Sequence, residues 1–258
     1  MEKIFIKNRD DKKVAVLIDK VENQAGLAFI AHGLGGFKEQ THVETMAKAF
    51  VDNKYTVVRF DATHTFGESE GSYEEANITN YLEDLEDVVD WAKSQDWYQE
   101  PFCLAGHSLG GISTLVYTEA NPEKVKAIAP TSTVLSGEMN MAGYANTKRL
   151  DEWEKTGWRI GESSSKPGLI KKLRWPQFKE DILKYDILPG TDKLTMPVLL
   201  VVGSKDTGTP PEEQKILYDK LNTDKELHII EGSKHTFKER GHLRQLYNIF
   251  DKWIKNKL

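Results

Sequence analysis

Short apolar runs alternate along the chain with longer stretches whose apolar residues recur every three or four positions. The runs read as buried strands: Val14–Ile18, Leu27–Ala31, Thr56–Phe60, Phe102–Ala105, Val125–Ala129, Val198–Val202 and Leu227–Ile230. The longer stretches read as helices: Val43–Asn53, Ile78–Ser94, Leu109–Ala120, Glu212–Leu221 and Arg240–Lys255. Within the second, Ile78, Leu82, Leu85, Val88, Val89 and Ala92 form one stripe that can face a sheet. Strand–helix units of this size allow crossover connections, so the pattern predicts an α/β fold with a mostly parallel central sheet flanked by helices.

The alternation stops between about Thr131 and Thr195. Serine and glycine punctuation (Gly161, Ser163, Ser164, Ser165), a basic cluster (Lys171, Lys172, Arg174) and many aromatics occupy that stretch, with no strand of the parallel type. It reads as a helical insertion sitting on the sheet, which divides the chain into a core of residues 1–130 and 196–258 and a cap of residues 131–195.

Composition narrows the possible functions. The 258 residues are 39% hydrophobic and 29% charged, as in ordinary globular proteins, and the formal net charge is −5. A dedicated nucleic-acid binder needs a clustered basic face, so nucleic acid is not an expected partner. No apolar run is long enough to span a bilayer, and a membrane is not expected either. The N-terminal MEKIFIKNRDDKK lacks the apolar core of a secretory signal, and a lone cysteine, Cys103, suits a reducing compartment. The expected location is cytoplasmic, with Cys103 a small core residue.

The strongest chemical signal is Gly106-His107-Ser108-Leu109-Gly110, a G-x-S-x-G sequence between a predicted strand and a predicted helix. On such a turn Ser108 is lifted above the sheet, where the helix N-terminus can stabilise negative charge. A serine hydroxyl needs a base within reach and an acid behind that base. Asp206 follows the run Val198–Val202, and His235 follows Leu227–Ile230, in the order Ser, Asp, His. All three emerge at the carboxyl ends of strands, the edge at which open α/β sheets bind ligands.

The remaining histidines and acids fit less well. His228 lies inside a strand, His242 begins the last helix, His107 belongs to the elbow itself, and His64 precedes the nucleophile but can line the site. Asp181 and Asp186 fall in the insertion. The glycines of His32-Gly33-Leu34-Gly35-Gly36, after an early strand, let backbone approach a reacting carbonyl; the amides of Leu34 and Leu109 are the candidate oxyanion donors. No residue cluster has metal-ligand spacing and no phosphate-cradling loop is present, so the chemistry calls for no cofactor.

HGLGG, RFDATHTFGESEG, AGHSLGG, VVGSKDTGTPPE and EGSKHTF together resemble the α/β-hydrolase superfamily over nearly the whole chain. The nearest likeness is to small cytoplasmic esterases of the cinnamoyl/feruloyl-esterase type, within the wider serine aminopeptidase-like and monoacylglycerol-lipase-like set. The resemblance implies Ser108, Asp206 and His235 as catalytic triad, Leu34 and Leu109 as oxyanion hole, and 131–195 as a substrate-covering cap. The segment Thr63–Ser69 departs from the compact G-x-G-x-S of many relatives. The implied activity is hydrolysis of small acyl or aromatic acyl esters through an acyl-enzyme. Aminopeptidase or amidase activity and monoacylglycerol-lipase activity are the alternatives on the same triad, and a non-catalytic scaffold would be expected to have a broken one. The aromatics Tyr144, Trp153, Trp158, Trp175, Phe178 and Tyr185 suggest an aromatic acyl pocket.

Overall fold

Four strands are buried at every position: β3 (Gly26–Ala31), β4 (Tyr55–Phe60), β5 (Phe102–His107) and β9 (Val198–Gly203). Their nearly unbroken apolar runs are what a parallel sheet covered on both faces requires. The computed structural model describes residues 1–145, 147–163, 166 and 168–258. The other main-sheet strands are β1 (Glu2–Lys7), β2 (Lys13–Asp19), β6 (Val125–Thr131) and β10 (Lys225–Ile230). Eight strands run in the order β1-β2-β4-β3-β5-β6-β9-β10. β1–β2 and β2–β4 are antiparallel and every other neighbouring pair is parallel.

Strand alternation divides the core in two. Ala28, Ile30, Cys103, Ala105, Ala127 and Ala129 face α1 (Thr41–Asp52) and α8 (Arg240–Lys257), packing against Met46, Phe50, Phe250 and Trp253. Phe29, Phe60, Leu104 and Ile128 face the other way, towards α2 (Ile78–Ala92), α3 (Leu109–Ala120) and α7 (Pro211–Lys220). Cys103 is fully buried, and burial pushes its thiol up to about 12. The α2 stripe is buried at Ile78, Tyr81, Leu85, Val88, Val89 and Ala92. Asn77 caps that helix by accepting the Asn80 N–H at 2.8 Å. Among the described residues no helix is long and apolar enough to cross a membrane.

Between β6 and β9 lie α4 (Gly137–Ala142), α5 (Lys148–Thr156), the antiparallel hairpin β7 (Trp158–Glu162) with β8 (Ile170–Arg174), and α6 (Trp175–Ile182). The segment is therefore not purely helical, as its sequence suggested. Ser164 and Ser165 lie outside the described residues. Asp181 anchors the segment to the core: its carboxylate accepts the Ile78 and Thr79 N–H groups at 2.8 and 3.1 Å, and the Thr79 hydroxyl. An acid at the start of α2 also meets the positive end of that helix dipole. Trp153, Trp175 and Phe178 are buried and pack on one another, with centroids 4.8 and 6.2 Å apart. Those rings form the segment's own core.

Candidate active site

The turn from β5 into α3 puts Ser108 at φ 56°, ψ −116°, a conformation few residues other than glycine adopt. Two glycines make it possible. A Cβ on Gly106 would lie 2.4 Å from the Gly110 carbonyl oxygen, and one on Gly110 would lie 2.5 Å from the oxygens of Ala31 and His32. The Ser108 N–H donates to the Thr131 carbonyl at 3.1 Å, tying the turn to β6. As the first residue of α3, Leu109 has an N–H with no acceptor inside the helix.

Ser108, Leu109, Leu34, His235, Gly208 and Thr209 line one cavity of about 470 Å³. Asp206 lies buried behind its wall. One carboxylate oxygen, Oδ2, accepts His235 Nδ1–H at 2.8 Å and the Thr209 hydroxyl at 2.9 Å. The other, Oδ1, accepts the Gly208 and Thr209 N–H groups at 2.9 and 3.1 Å. Burial alone would raise this carboxyl. The His235 hydrogen bond and charge, with the two amides, outweigh it and hold Asp206 below the usual carboxylate range. A carboxylate on Nδ1–H leaves the imidazole's Nε2 lone pair free to take a proton.

The loop bearing Leu34 is held by groups the sequence analysis did not single out. His32 Nε2 accepts the Ala62 N–H at 3.1 Å, which leaves its Nδ1–H to donate to the Gly33 carbonyl at 2.8 Å. The Tyr81 hydroxyl and the Gly36 N–H donate to the same carbonyl at 3.1 and 2.8 Å. In a trans peptide the C=O and the next N–H point opposite ways, so three donors on Gly33 fix the direction of the Leu34 N–H. The histidine of HGLGG was the available signal; Tyr81, on α2, had none in the sequence.

The other titratable residues separate cleanly. His64 does not line the cavity among the described residues; its Nδ1 accepts the Ser72 N–H at 3.2 Å and braces the loop after β4. No residue of Thr63–Ser69 lines it either, although the Thr65 hydroxyl supports the Leu34 loop through the Gly36 carbonyl at 2.7 Å. Asp61 ties these loops together by accepting the Lys38 N–H, the Lys38 ammonium and the Glu68 N–H at 2.7–2.8 Å. His228 sits on β10 beside Glu226, and His242 on α8. Of the six aromatics between β6 and β9, Tyr144 and Phe178 reach the cavity. No group of three or more metal-ligand side chains occurs among the described residues.

Behind the site the rings of His42 and His107 pack with centroids 4.3 Å apart, and His107 Nε2–H donates to the His235 carbonyl at 2.8 Å. Burial, then the charge of neighbouring histidines, lowers His42 to about 3 and takes His107 well below its ordinary value. Both are neutral in the folded chain, whereas each binds a proton in the unfolded chain below about pH 6.5. Stability rises with pH wherever the unfolded state holds more protons. Each of the two histidines therefore contributes a loss of roughly 1.4 kcal/mol per unit on acidification below about pH 6.5, opposed in the same window by Glu119, whose carboxyl burial raises to about 7. For His42 the loss ends near its folded value of about 3. Asp206, depressed in the folded state, contributes stability above its unfolded value near 3.9 and loses it only as pH falls further, below most of this window. Urea midpoints between pH 7 and 5 check the claim: His42→Gln should flatten the slope by about one proton. An unchanged slope in a folded variant would refute it.

Comparison with known proteins agrees with this geometry. The profile of the serine aminopeptidase, S33 family matches residues 22–164, more than half of the chain. The structure of Est1E from Butyrivibrio proteoclasticus with bound ferulic acid superposes with a TM-score of 0.83 at 22% identity, covering 98% of each chain. Alpha/beta hydrolase domain-containing protein 10 from mouse superposes with a TM-score of 0.79 at 21% identity, covering 99% of each chain. The mitochondrial palmitoyl-protein thioesterase ABHD10 of Bos taurus is 25% identical over 202 residues, 78% of this chain and 63% of that one. The strand order, the strained serine turn and the family match converge: the protein has the α/β-hydrolase fold and belongs to the serine aminopeptidase, S33 family of hydrolases.

Proposed function

We propose that the protein hydrolyses carboxylic esters or thioesters through an acyl-enzyme on Ser108. The observation that carries this reading is the meeting of Ser108 and His235 in one cavity, with Asp206 hydrogen-bonded to the far nitrogen of the imidazole. Ser108 Oγ attacks the acyl carbon while His235 Nε2 takes its proton, and Asp206 stabilises the imidazolium that forms. The Leu34 and Leu109 N–H groups receive the negative charge on the former carbonyl oxygen. As the tetrahedral adduct collapses, the alcohol or thiol departs with the proton from His235. Water then enters, gives a proton to the same nitrogen, and releases the carboxylic acid with Ser108 restored.

Residues 131–195 act in this account as a cap that encloses the acyl group without supplying reacting atoms. The ester reading is favoured over peptide cleavage from a free N-terminus, which needs an acid to hold the substrate ammonium. No aspartate or glutamate is among the described residues lining the cavity. The thioester option takes support from the name of the ABHD10 relative. A panel of nitrophenyl esters, acyl thioesters and aminoacyl anilides tests the reading. Turnover of esters or thioesters with a pre-steady-state burst is expected. Anilide turnover exceeding both would reverse the assignment.

A further inference from the structure

Three cations from the segment between β6 and β9 line the cavity: Arg149 of α5, Arg159 of β7 and Lys171 of β8. Strand alternation turns two of them inward. The hairpin register pairs Arg159 with Leu173 and Gly161 with Lys171, so these four share one face. On that face Leu173 is buried and both cations are half-buried; on the other, Ile160, Ile170, Lys172 and Arg174 are exposed. Gly161, on the same face, is exposed, and a Cβ there would meet nothing within 4 Å.

Solvated cations at a pocket mouth are commonplace, and Arg149 is exposed, but Arg159 is held and Arg159 and Lys171 are both half-buried and unneutralised. The Arg159 guanidinium packs on the rings of Trp153, Tyr144 and Phe178, at 5.0, 5.4 and 5.7 Å from their centroids. It donates one N–H to the Tyr144 hydroxyl at 3.3 Å, and a guanidinium has five. None of the three cations forms an ion pair among the described residues. The buried cations elsewhere do: Lys38 meets Asp61 at 2.8 Å and Arg59 meets Asp19 at 2.9 Å. Burial and the charge of Arg159 together push the Lys171 ammonium below its ordinary value. An anion between the two cations would relieve that repulsion.

We propose that Arg159 and Lys171, with Arg149, bind an anionic group, a carboxylate or phosphate, carried by the ester or thioester substrate. This rests on the hydrolase reading given above. The cavity then selects a charged substrate, a preference that the aromatic content of its sequence had not suggested.

Substrate pairs matched in acyl length test it. One pair is a nitrophenyl ester of a dicarboxylic acid against that of the corresponding monocarboxylic acid. A second carries the carboxylate on the leaving group, and a third compares a coenzyme A thioester with an N-acetylcysteamine thioester to supply phosphates. At least one anionic member should exceed its neutral partner in kcat/KM by about tenfold or more. Lys171→Gln should erase most of that preference through KM, and Lys171→Arg should restore it. Arg159→Gln should do likewise, but it also loosens the aromatic cluster, so Lys171 carries the test. Equal rates within every pair would overturn the proposal while leaving the hydrolase intact. Failure to turn over any ester, with no labelling by a fluorophosphonate, would overturn both.

Discussion

Ser108→Ala is expected to lower kcat for any ester substrate by on the order of a millionfold. The hydroxyl is the bond-forming atom of the proposed reaction, and the chain's one thiol cannot stand in for it: Cys103 is buried in the sheet with its thiol pushed up to about 12. The variant should still fold, because the Ser108 N–H to Thr131 hydrogen bond belongs to the backbone and alanine inherits the same φ of 56°. Melting temperature and circular dichroism check the fold, and a stopped or continuous ester assay checks the rate. A folded variant that keeps a tenth of the wild-type rate would remove Ser108 from the mechanism.

Asp206→Asn should cost on the order of ten-thousandfold in kcat with little change in binding. The reason lies in the hydrogen-bond pattern. The carbonyl oxygen of the introduced side-chain amide can keep the Gly208 and Thr209 N–H groups that now serve Oδ1. Its NH₂ group then faces His235 Nδ1, which must become an acceptor, and the ring proton moves to Nε2. A histidine protonated at Nε2 cannot take the serine proton. Steady-state kinetics on the folded variant check this, with KM near the wild-type value and kcat collapsed. A variant within tenfold of wild type would mean that His235 needs no acid behind it.

The sheet, the elbow and the strand-end Asp and His were legible because each depends on short-range patterns. A strand buried on both faces, such as Val198–Gly203, has to be apolar along its length, and a strained serine turn has to be framed by glycine. What escaped the sequence lacks such a signature. β1 reads Glu-Lys-Ile-Phe-Ile-Lys, an edge strand with charges at its ends, and Phe5 is 48% exposed. The β7–β8 hairpin is five residues a side, carries Gly161 and several cations, and buries Leu173 alone. Without its register, Lys171 is one member of a basic cluster and Arg159 a separate cation twelve residues earlier; with it, they share the face towards the cavity. The large aromatics divide for a related reason: Tyr144 and Phe178 reach the cavity while others do not. Trp153 and Trp175 fill the segment's interior, a role that ring type and spacing do not distinguish from lining a pocket.

A covalent intermediate on Ser108 is best tested by mapping where an active-site-directed fluorophosphonate attaches. Peptide mass spectrometry of the labelled wild-type protein should find a single adduct on Ser108, blocked by prior incubation with a good ester substrate and absent from Ser108→Ala. A folded, ester-hydrolysing protein that takes the label elsewhere, or leaves Ser108 unmodified, would be incompatible with an acyl-enzyme on this serine.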